Sequence, residues 1–326
     1  MTSRAERLLS LADCEDECGL EIGPLDKPLV KRHPGRRIFY CDYASRDELR
    51  RKSSDDPNVN IDLIPEIDFV SPKISADTFG GMRFDYILAS HVIEHVPNMI
   101  GWLKHLLSAL TQNGRIILAI PDRRYTFDYI RPLSTVGQLV ESYLAKRSIP
   151  TFSQVYDGFS KAVRADTLKC WTNSEYPDLL EPYFTKNLAL RLADDAFQNG
   201  TYHDCHCWVF TYSSFVEIIN EINELGILNV QILAKFEPQP DTNEFHIILG
   251  NAAVSQVAQK YEGKIVYQPS ANRGKDDGWY LVKDGKRRWI SDGAWLGKNG
   301  YQASSVIEIS SADFTAIPED PAPLHN

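Results

Sequence analysis

The apolar positions of this chain fall into short dense blocks separated by polar stretches, with helix-period stretches between them. The clearest block lies in FDYILASHVIEHVP, Phe84 to Pro97. Tyr86, Ile87, Leu88 and Ala89 form an apolar run of the kind a strand buried on both faces needs. Polar chemistry begins where that run ends, at Ser90, His91, Glu94 and His95. Asn98 is placed to cap a helix whose stripe is Ile100, Leu103, Leu106, Leu107 and Leu110, and Asn113-Gly114 is its stop. Residues 115–120 read as another buried strand, closed by Pro121-Asp122. The ligand crevice of an open α/β sheet lies beyond the carboxyl ends of its strands, which makes these two strand ends the candidate site.

The rest of the chain extends this unit. A short amphipathic helix is expected over 4–11, and strands over 20–22, 37–41 and 66–70. With 85–89 and 115–120 they make a five-strand parallel core. Residues 227–236 and 243–249 read as two more strands, joined by a loop so short that only an antiparallel connection fits. A helix over 213–225 precedes them. The stretch 122–201 is too long for a plain crossover and carries helical patterns, so it is expected to form a cap over the strand ends. Beyond 255 the pattern becomes β-like. Asp284-Gly285 between two apolar runs is a hairpin signal. The expected organisation is a domain over 1–254, with 122–201 as cap insertion, and a small β-rich module over 255–326.

Composition narrows the function classes. Lysine and arginine total 35 against 44 aspartates and glutamates, a net charge of −9. That balance argues against a nonspecific grip on nucleic acid or on an anionic membrane. No apolar run is long enough to span a bilayer, and the amino-terminal leucines are too interrupted for a secretory h-region. A cytoplasmic protein with reduced thiols is expected from six scattered cysteines.

The first strand ends in Glu21-Ile22-Gly23-Pro24, and twenty-one residues beyond Glu21 sits Asp42 at the end of the second. An acid there is placed to accept hydrogen bonds from ribose hydroxyls. A dinucleotide site would need three glycines and a helix N-terminus for the pyrophosphate. Only Gly23 is present, and Pro24, Pro28 and Pro34 discourage a helix directly after it. A nucleoside without phosphates suits that loop better.

Taken together, LEIGP, YCDYAS, EIDFV, FDYILASHVIEHVP and GRIILAIPDRRYTFD resemble a class I S-adenosylmethionine-dependent methyltransferase, over about Cys18 to Gly250. The resemblance implies an α/β fold with a Rossmann-like, mostly parallel sheet, an antiparallel last strand, and S-adenosyl-L-methionine as cofactor. It also implies that Glu21 and Gly23 face the methionine moiety and Asp42 the ribose. Asp68 and Phe69 would flank the adenine, with Ser90 and His91 bordering the transferable methyl. The departure is the first loop, where Pro24 and Asp26 stand in place of the family's further glycines. The terminal part is similar to short β-rich repeats with a YLV…GKRRWI pattern.

Two further clusters have competing readings. His91, Glu94 and His95 spell H-x-x-E-H, an inverted zinc-peptidase motif that requires a continuous helix and a third ligand. Pro97 and its effect on Val96 argue against that helix, and no metal is expected. His203, Cys205, His206 and Cys207 look like a metal nest, but neighbours on an extended strand point to opposite faces. The resemblance puts His206 on the substrate side instead. Arg124, Tyr125 and Arg131, just past the fifth strand, are candidate acceptor contacts. The expected activity is O-methylation of a small or glycan-like hydroxylated acceptor, with His206 the first candidate base and His91 the second. The alternatives are a metal-dependent hydrolase built on HVIEH and a non-catalytic S-adenosylmethionine-binding scaffold protein.

Overall fold

A computed structural model describes residues 3–172, 180–251, 256–268 and 278–325. The chain divides into two compact units. One is Met1–Ile218 with Gln231–Asn251, and the other is Ile219–Val230 with Ala252–Asn326. The boundary expected at 254/255 lies outside the described residues.

The first unit is built on a seven-stranded sheet. Its strands are β1 (Gly19–Ile22), β2 (Ile38–Asp42), β3 (Phe69–Val70), β4 (Phe84–Ser90), β5 (Leu110–Pro121), β6 (Val230–Phe236) and β7 (Glu244–Asn251). Their order across the sheet is β3-β2-β1-β4-β5-β7-β6. β1 runs parallel to both β2 and β4, β4 runs parallel to β5, and β7 is antiparallel to β5. The first two crossovers leave β1 in one direction and the later ones in the other, so a topological switch point lies beside β1. Along one face Tyr40, Tyr86, Leu88, Ile117 and Ile248 join Leu8 of helix α1 (Arg4–Leu8) in one core cluster. Each such apolar side chain contributes roughly 1.5–3 kcal/mol by leaving water.

Local chemistry accounts for the elements. Asn98 caps α3 (Met99–Ser108), its Oδ1 accepting from the Gly101 N–H at 2.9 Å. That helix ends before Leu110, earlier than its apolar stripe suggests. Asn113-Gly114, expected as its stop, lies inside β5, where the register slips against β4 between Phe84 and Tyr86. A Cβ at Gly114 would stand 2.8 Å from the Phe84 carbonyl, which explains the glycine there. The third strand is only two residues long, and Phe69 packs edge-on against Phe79 and Phe84. Helix α2 (Arg46–Lys52) follows β2, and no helix forms between Gly23 and Arg37.

The insertion after β5 is helical, as its pattern suggests: α4 (Val136–Leu144), α5 (Phe152–Ser160), α6 (Thr167–Thr172) and α7 (Lys186–Asn199). Thr135 and Thr151 cap α4 and α5 with reciprocal glutamine bonds. Val155 of α5 packs with Ala193 and Ala196 of α7 and with Cys205. Helix α8 (Tyr212–Glu224) leads to the last strand pair.

The second unit has its own five-stranded sheet, in the order β11-β8-β9-β10-β12. Its strands are β8 (Ile265–Tyr267), β9 (Tyr280–Lys283), β10 (Lys286–Ile290), β11 (Ile307–Glu308) and β12 (Glu319–Leu324). β9 and β10 are the expected hairpin, antiparallel, with both Asp284 and Gly285 at positive φ. Three short helices, α9 (Gln256–Tyr261), α10 (Ala294–Lys298) and α11 (Ser311–Ala316), complete it. Among the described residues no helix is long and apolar enough to cross a membrane, and the six cysteines are free.

Candidate active site

In the sheet Ile22 lies beside Cys41 of β2 and Ala89 of β4. The next residue on each strand is therefore Gly23, Asp42 or Ser90, and these three meet at adjacent carboxyl ends. Gly23 has φ +68, and a Cβ there would come within 3.0 Å of Val92 Cγ2. Asp42 is buried; its Oδ1 accepts from the Tyr43 N–H at 2.7 Å. Burial pushes its carboxyl up to about 6, against backbone N–H bonds from Tyr43 and Ala44 that pull it down.

Glu21 points into the loop that replaces a helix. Its two carboxylate oxygens accept from the Leu29 and Val30 N–H groups at 2.8 and 3.0 Å. Burial raises it to about 7 despite those bonds. It is thus a strut for the loop after β1. Asp68 is similarly engaged, accepting from the Tyr40 N–H at 2.7 Å and from the Arg32 guanidinium. Phe69 lies in the aromatic group with Phe39, Phe79 and Phe84. Ser90 Oγ accepts from Arg4 at 2.7 Å, and the same guanidinium holds Glu244 at 2.6 and 2.8 Å. Arg4 and Glu244 were not singled out in the sequence, because one lies in a terminal helix and the other starts an edge-side strand.

The turn after β4 gathers the histidines. His91 adopts a left-handed conformation (φ +53), followed by a single 3₁₀ turn, Ile93–His95. The continuous helix that an H-x-x-E-H peptidase motif requires is absent from this segment. Glu94 is fully buried, and neither of its carboxylate oxygens has a hydrogen-bond partner among the described residues. Three imidazoles surround it. His91 Nδ1 is 3.6 Å from Glu94 Oε1, and His95 Nε2 and His206 Nε2 are each 3.9 Å from it. The opposite nitrogen of every ring meets another carboxylate. These contacts are His91 Nε2 to Glu244 at 2.8 Å, His95 Nδ1 to Asp204 at 2.9 Å, and His206 Nδ1 to Asp128 at 2.5 Å.

His206 reaches this turn because the loop carrying it is pinned there. The Cys207 N–H donates to the Glu94 carbonyl at 2.7 Å, and Trp208 Nε1 donates to the Val96 carbonyl at 2.7 Å. The His95 and His206 rings then meet edge to face at 4.7 Å. Burial lowers and the Asp204 hydrogen bond raises the His95 imidazole, with a net rise to about 9. Burial would raise Glu244, but hydrogen bonds from His246, His91 and Arg4 hold its carboxyl well below the usual range. His203, part of the sequence's apparent metal nest, instead pairs with Asp195 at 2.7 Å.

The candidate acceptor contacts differ in how they are held. Arg124 forms a two-pronged ion pair with buried Asp122, at 2.8 Å on each arm, and lies over the Tyr125 ring. Tyr125 stacks on Trp171 with ring centres 4.1 Å apart. Arg131 is buried: it donates to Asp128 at 2.6 Å and to the His206 carbonyl at 2.9 Å. Its guanidinium holds the Asp128–His206 pair, whereas the sequence placed it among the acceptor contacts.

A family model described as methyltransferase domain matches residues 8–221. Among curated proteins nothing matches. Solved structures resembling the chain include the CcbJ methyltransferase of Streptomyces caelestis, at 12% identity and TM-score 0.39, over 76% of this chain and 89% of that one. The mitomycin 7-O-methyltransferase MmcR matches at 11% identity and TM-score 0.36, over 76% of this chain and 53% of that one. PKMT2 of Rickettsia typhi, solved with AdoHcy, matches at 13% identity and TM-score 0.35, over 89% of this chain and 62% of that one.

Proposed function

Because the chain belongs to the methyltransferase-domain family and is an S-adenosyl-L-methionine-dependent enzyme, we propose that it methylates an oxygen of a small or glycan-like hydroxylated acceptor. When bound, the cofactor supplies an electrophilic methyl on a sulfonium, which passes to the acceptor oxygen while the sulfur keeps the bonding pair. The chain's own residues suit that cofactor. Gly23 lacks the side chain that would fill the space beside Val92, and Asp42 offers a buried carboxylate to ribose hydroxyls. Glu21 fixes the intervening loop through Leu29 and Val30. Ser90 ends β4 and His91 follows it, at the neighbouring strand end. Asp68 and Phe69 serve this region by bracing β2 and β3.

The observation that carries an oxygen acceptor is the imidazole group around Glu94, set beside Gly23 by the Val92 contact. In-line transfer needs alignment and, for a hydroxyl, removal of one proton. His206 and His91 are the candidate catalytic residues. His206 is braced by Asp128 and Arg131, whereas His91 is about one-third exposed and backed by Glu244. His91 can therefore pass a proton to solvent. Arg124 and Tyr125 supply a flat cationic and aromatic wall for the acceptor, steadied by Asp122 and Trp171.

The test is methyl transfer to a panel of phenolic, sugar and carboxylate acceptors beside amines and thiols, read by mass spectrometry of the product. Methyl ethers are expected, and methyl esters alone would count against the hydroxyl acceptor. Products carrying the methyl on nitrogen, sulfur or carbon, or no product from any oxygen acceptor, would overturn this reading.

A further inference from the structure

We infer that Glu94, His95 and His206 form a binding site for one divalent transition-metal ion, with His91 at its rim. The inference deepens the proposed function, resting on it only for what the ion would do. Three donor atoms, one carboxylate oxygen and two imidazole nitrogens, lie within 4.8 Å of one another. Two donors sharing an ion at about 2.1 Å stand about 3.4 Å apart at the tetrahedral angle and about 4.2 Å apart when opposite. The 3.9 Å from Glu94 Oε1 to His95 Nε2 and to His206 Nε2 falls inside that interval and is too long for a hydrogen bond.

The surroundings argue the same way. Glu94 is fully buried and neither oxygen has a hydrogen bond among the described residues, so the carboxylate needs a cation or a proton at hand, and an ion held between Glu94 and the imidazoles meets that need. Asp204 and Asp128 take the Nδ1 protons of His95 and His206, which orients each Nε2 inward. Histidines that ligate metals are oriented in this way, by carboxylates on the far ring nitrogen. Arg131 in turn anchors Asp128, and Arg4 and His246 anchor Glu244 behind His91. Two or three imidazoles with one carboxylate suit zinc, iron, manganese or cobalt, whereas magnesium and calcium favour all-oxygen sites.

Three protein donors leave coordination positions for an acceptor. With an ion in place, an acceptor oxygen bound to it would lose its proton more readily. The proton leaves through His91 to solvent, the oxygen–methyl bond forms, and the methyl–sulfur bond breaks with its electron pair on sulfur. With an ion bound, His206 would serve as a ligand, and of the two candidate bases His91 would be the one to take the proton.

The experiment uses the full chain, stripped with a chelator and titrated with Zn²⁺, Mn²⁺ and Co²⁺ by calorimetry, with the Co²⁺ absorption spectrum as a second readout. One ion per chain is expected, with a visible Co²⁺ band showing nitrogen ligation. Glu94→Gln should weaken binding at least tenfold. Asp204 is mostly exposed, so Asp204→Asn is a variant that keeps the fold; it should weaken binding about 10- to 100-fold through the orientation of His95. If no ion binds at millimolar concentration, or if Asp204→Asn and Glu94→Gln both bind like the parent, the site is refuted. Neither readout depends on methyl transfer, so the oxygen-acceptor reading stands or falls separately.

Discussion

Asp42→Asn separates the cost of a buried charge from its use. The carboxyl is only 6% exposed and burial lifts it from 3.8 to about 6. At pH well above 6 the ionised form therefore weakens the cofactor-free fold by about 3 kcal/mol, on the scale of 1.36 kcal/mol per pKa unit. The sign follows from proton uptake. Between about 3.8 and about 6 the folded chain holds more protons at this site than the unfolded one, so stability falls as pH rises through that window. Below it the penalty is absent. Asparagine removes the penalty, so at pH 7.5 the ligand-free variant should resist urea better than the parent, with the gap closing towards pH 4. Cofactor binding should move the other way. Losing hydrogen bonds from ribose hydroxyls to a charged acceptor, about 1.5–3 kcal/mol, weakens S-adenosylhomocysteine roughly 10- to 150-fold. The parent's affinity should also drop as pH falls through about 6, a step absent from the variant. Calorimetry from pH 5 to 8 with urea melts checks both arms. Unchanged affinity in the asparagine variant would refute the ribose assignment.

Glu21→Ala leaves the Leu29 and Val30 N–H groups without acceptors and should lower stability in urea by about 2–5 kcal/mol, with Glu21→Gln milder because one acceptor remains. Gly23→Ala forces a side chain into a left-handed backbone and against Val92. It should weaken cofactor binding at least tenfold by calorimetry, and lower stability by about 1–2 kcal/mol from the backbone alone. Arg131→Met strands Asp128 beside His206, so its effect should appear as about 3–5 kcal/mol of lost stability in urea melts. A fully stable Arg131→Met enzyme with only a raised acceptor KM would restore the acceptor-binding role.

The sheet was legible because its determinants are local. Tyr86 to Ala89 and Ile116 to Ile120 are apolar on both faces, the pattern of strands buried in the interior of a sheet covered on both sides. The three prolines after Gly23 did exclude a helix there, and Asp284-Gly285 did turn the hairpin. The helix stripe through Leu110 misled, because strand packing against Phe84 claimed the residues from 110 onward. The acids were legible as strand-end carboxylates but their duties were not. Whether each acid also meets a backbone N–H depends on what folds beside it: the loop after β1 brings Leu29 and Val30 to Glu21, and strand β2 brings Tyr40 to Asp68.

The histidine cluster was unreadable for a different reason. The sequence offered two metal-like motifs, H-x-x-E-H and H-D-C-H-C, and each fails alone: the first lacks a helix, and the second has neighbours pointing apart. The fold takes Glu94 and His95 from one and His206 from the other, rejecting His203 to Asp195. What joins them is backbone bonding, the Cys207 N–H on the Glu94 carbonyl and the Trp208 indole on the Val96 carbonyl, and neither bond has a residue-type signature. The same turn carries Val92, which packs where a side chain at Gly23 would lie. Cofactor loop and histidine cluster are therefore tied through one short segment, 91–96. A change that lifts this turn must disturb both, whereas a change at Asp204 reaches the cluster alone.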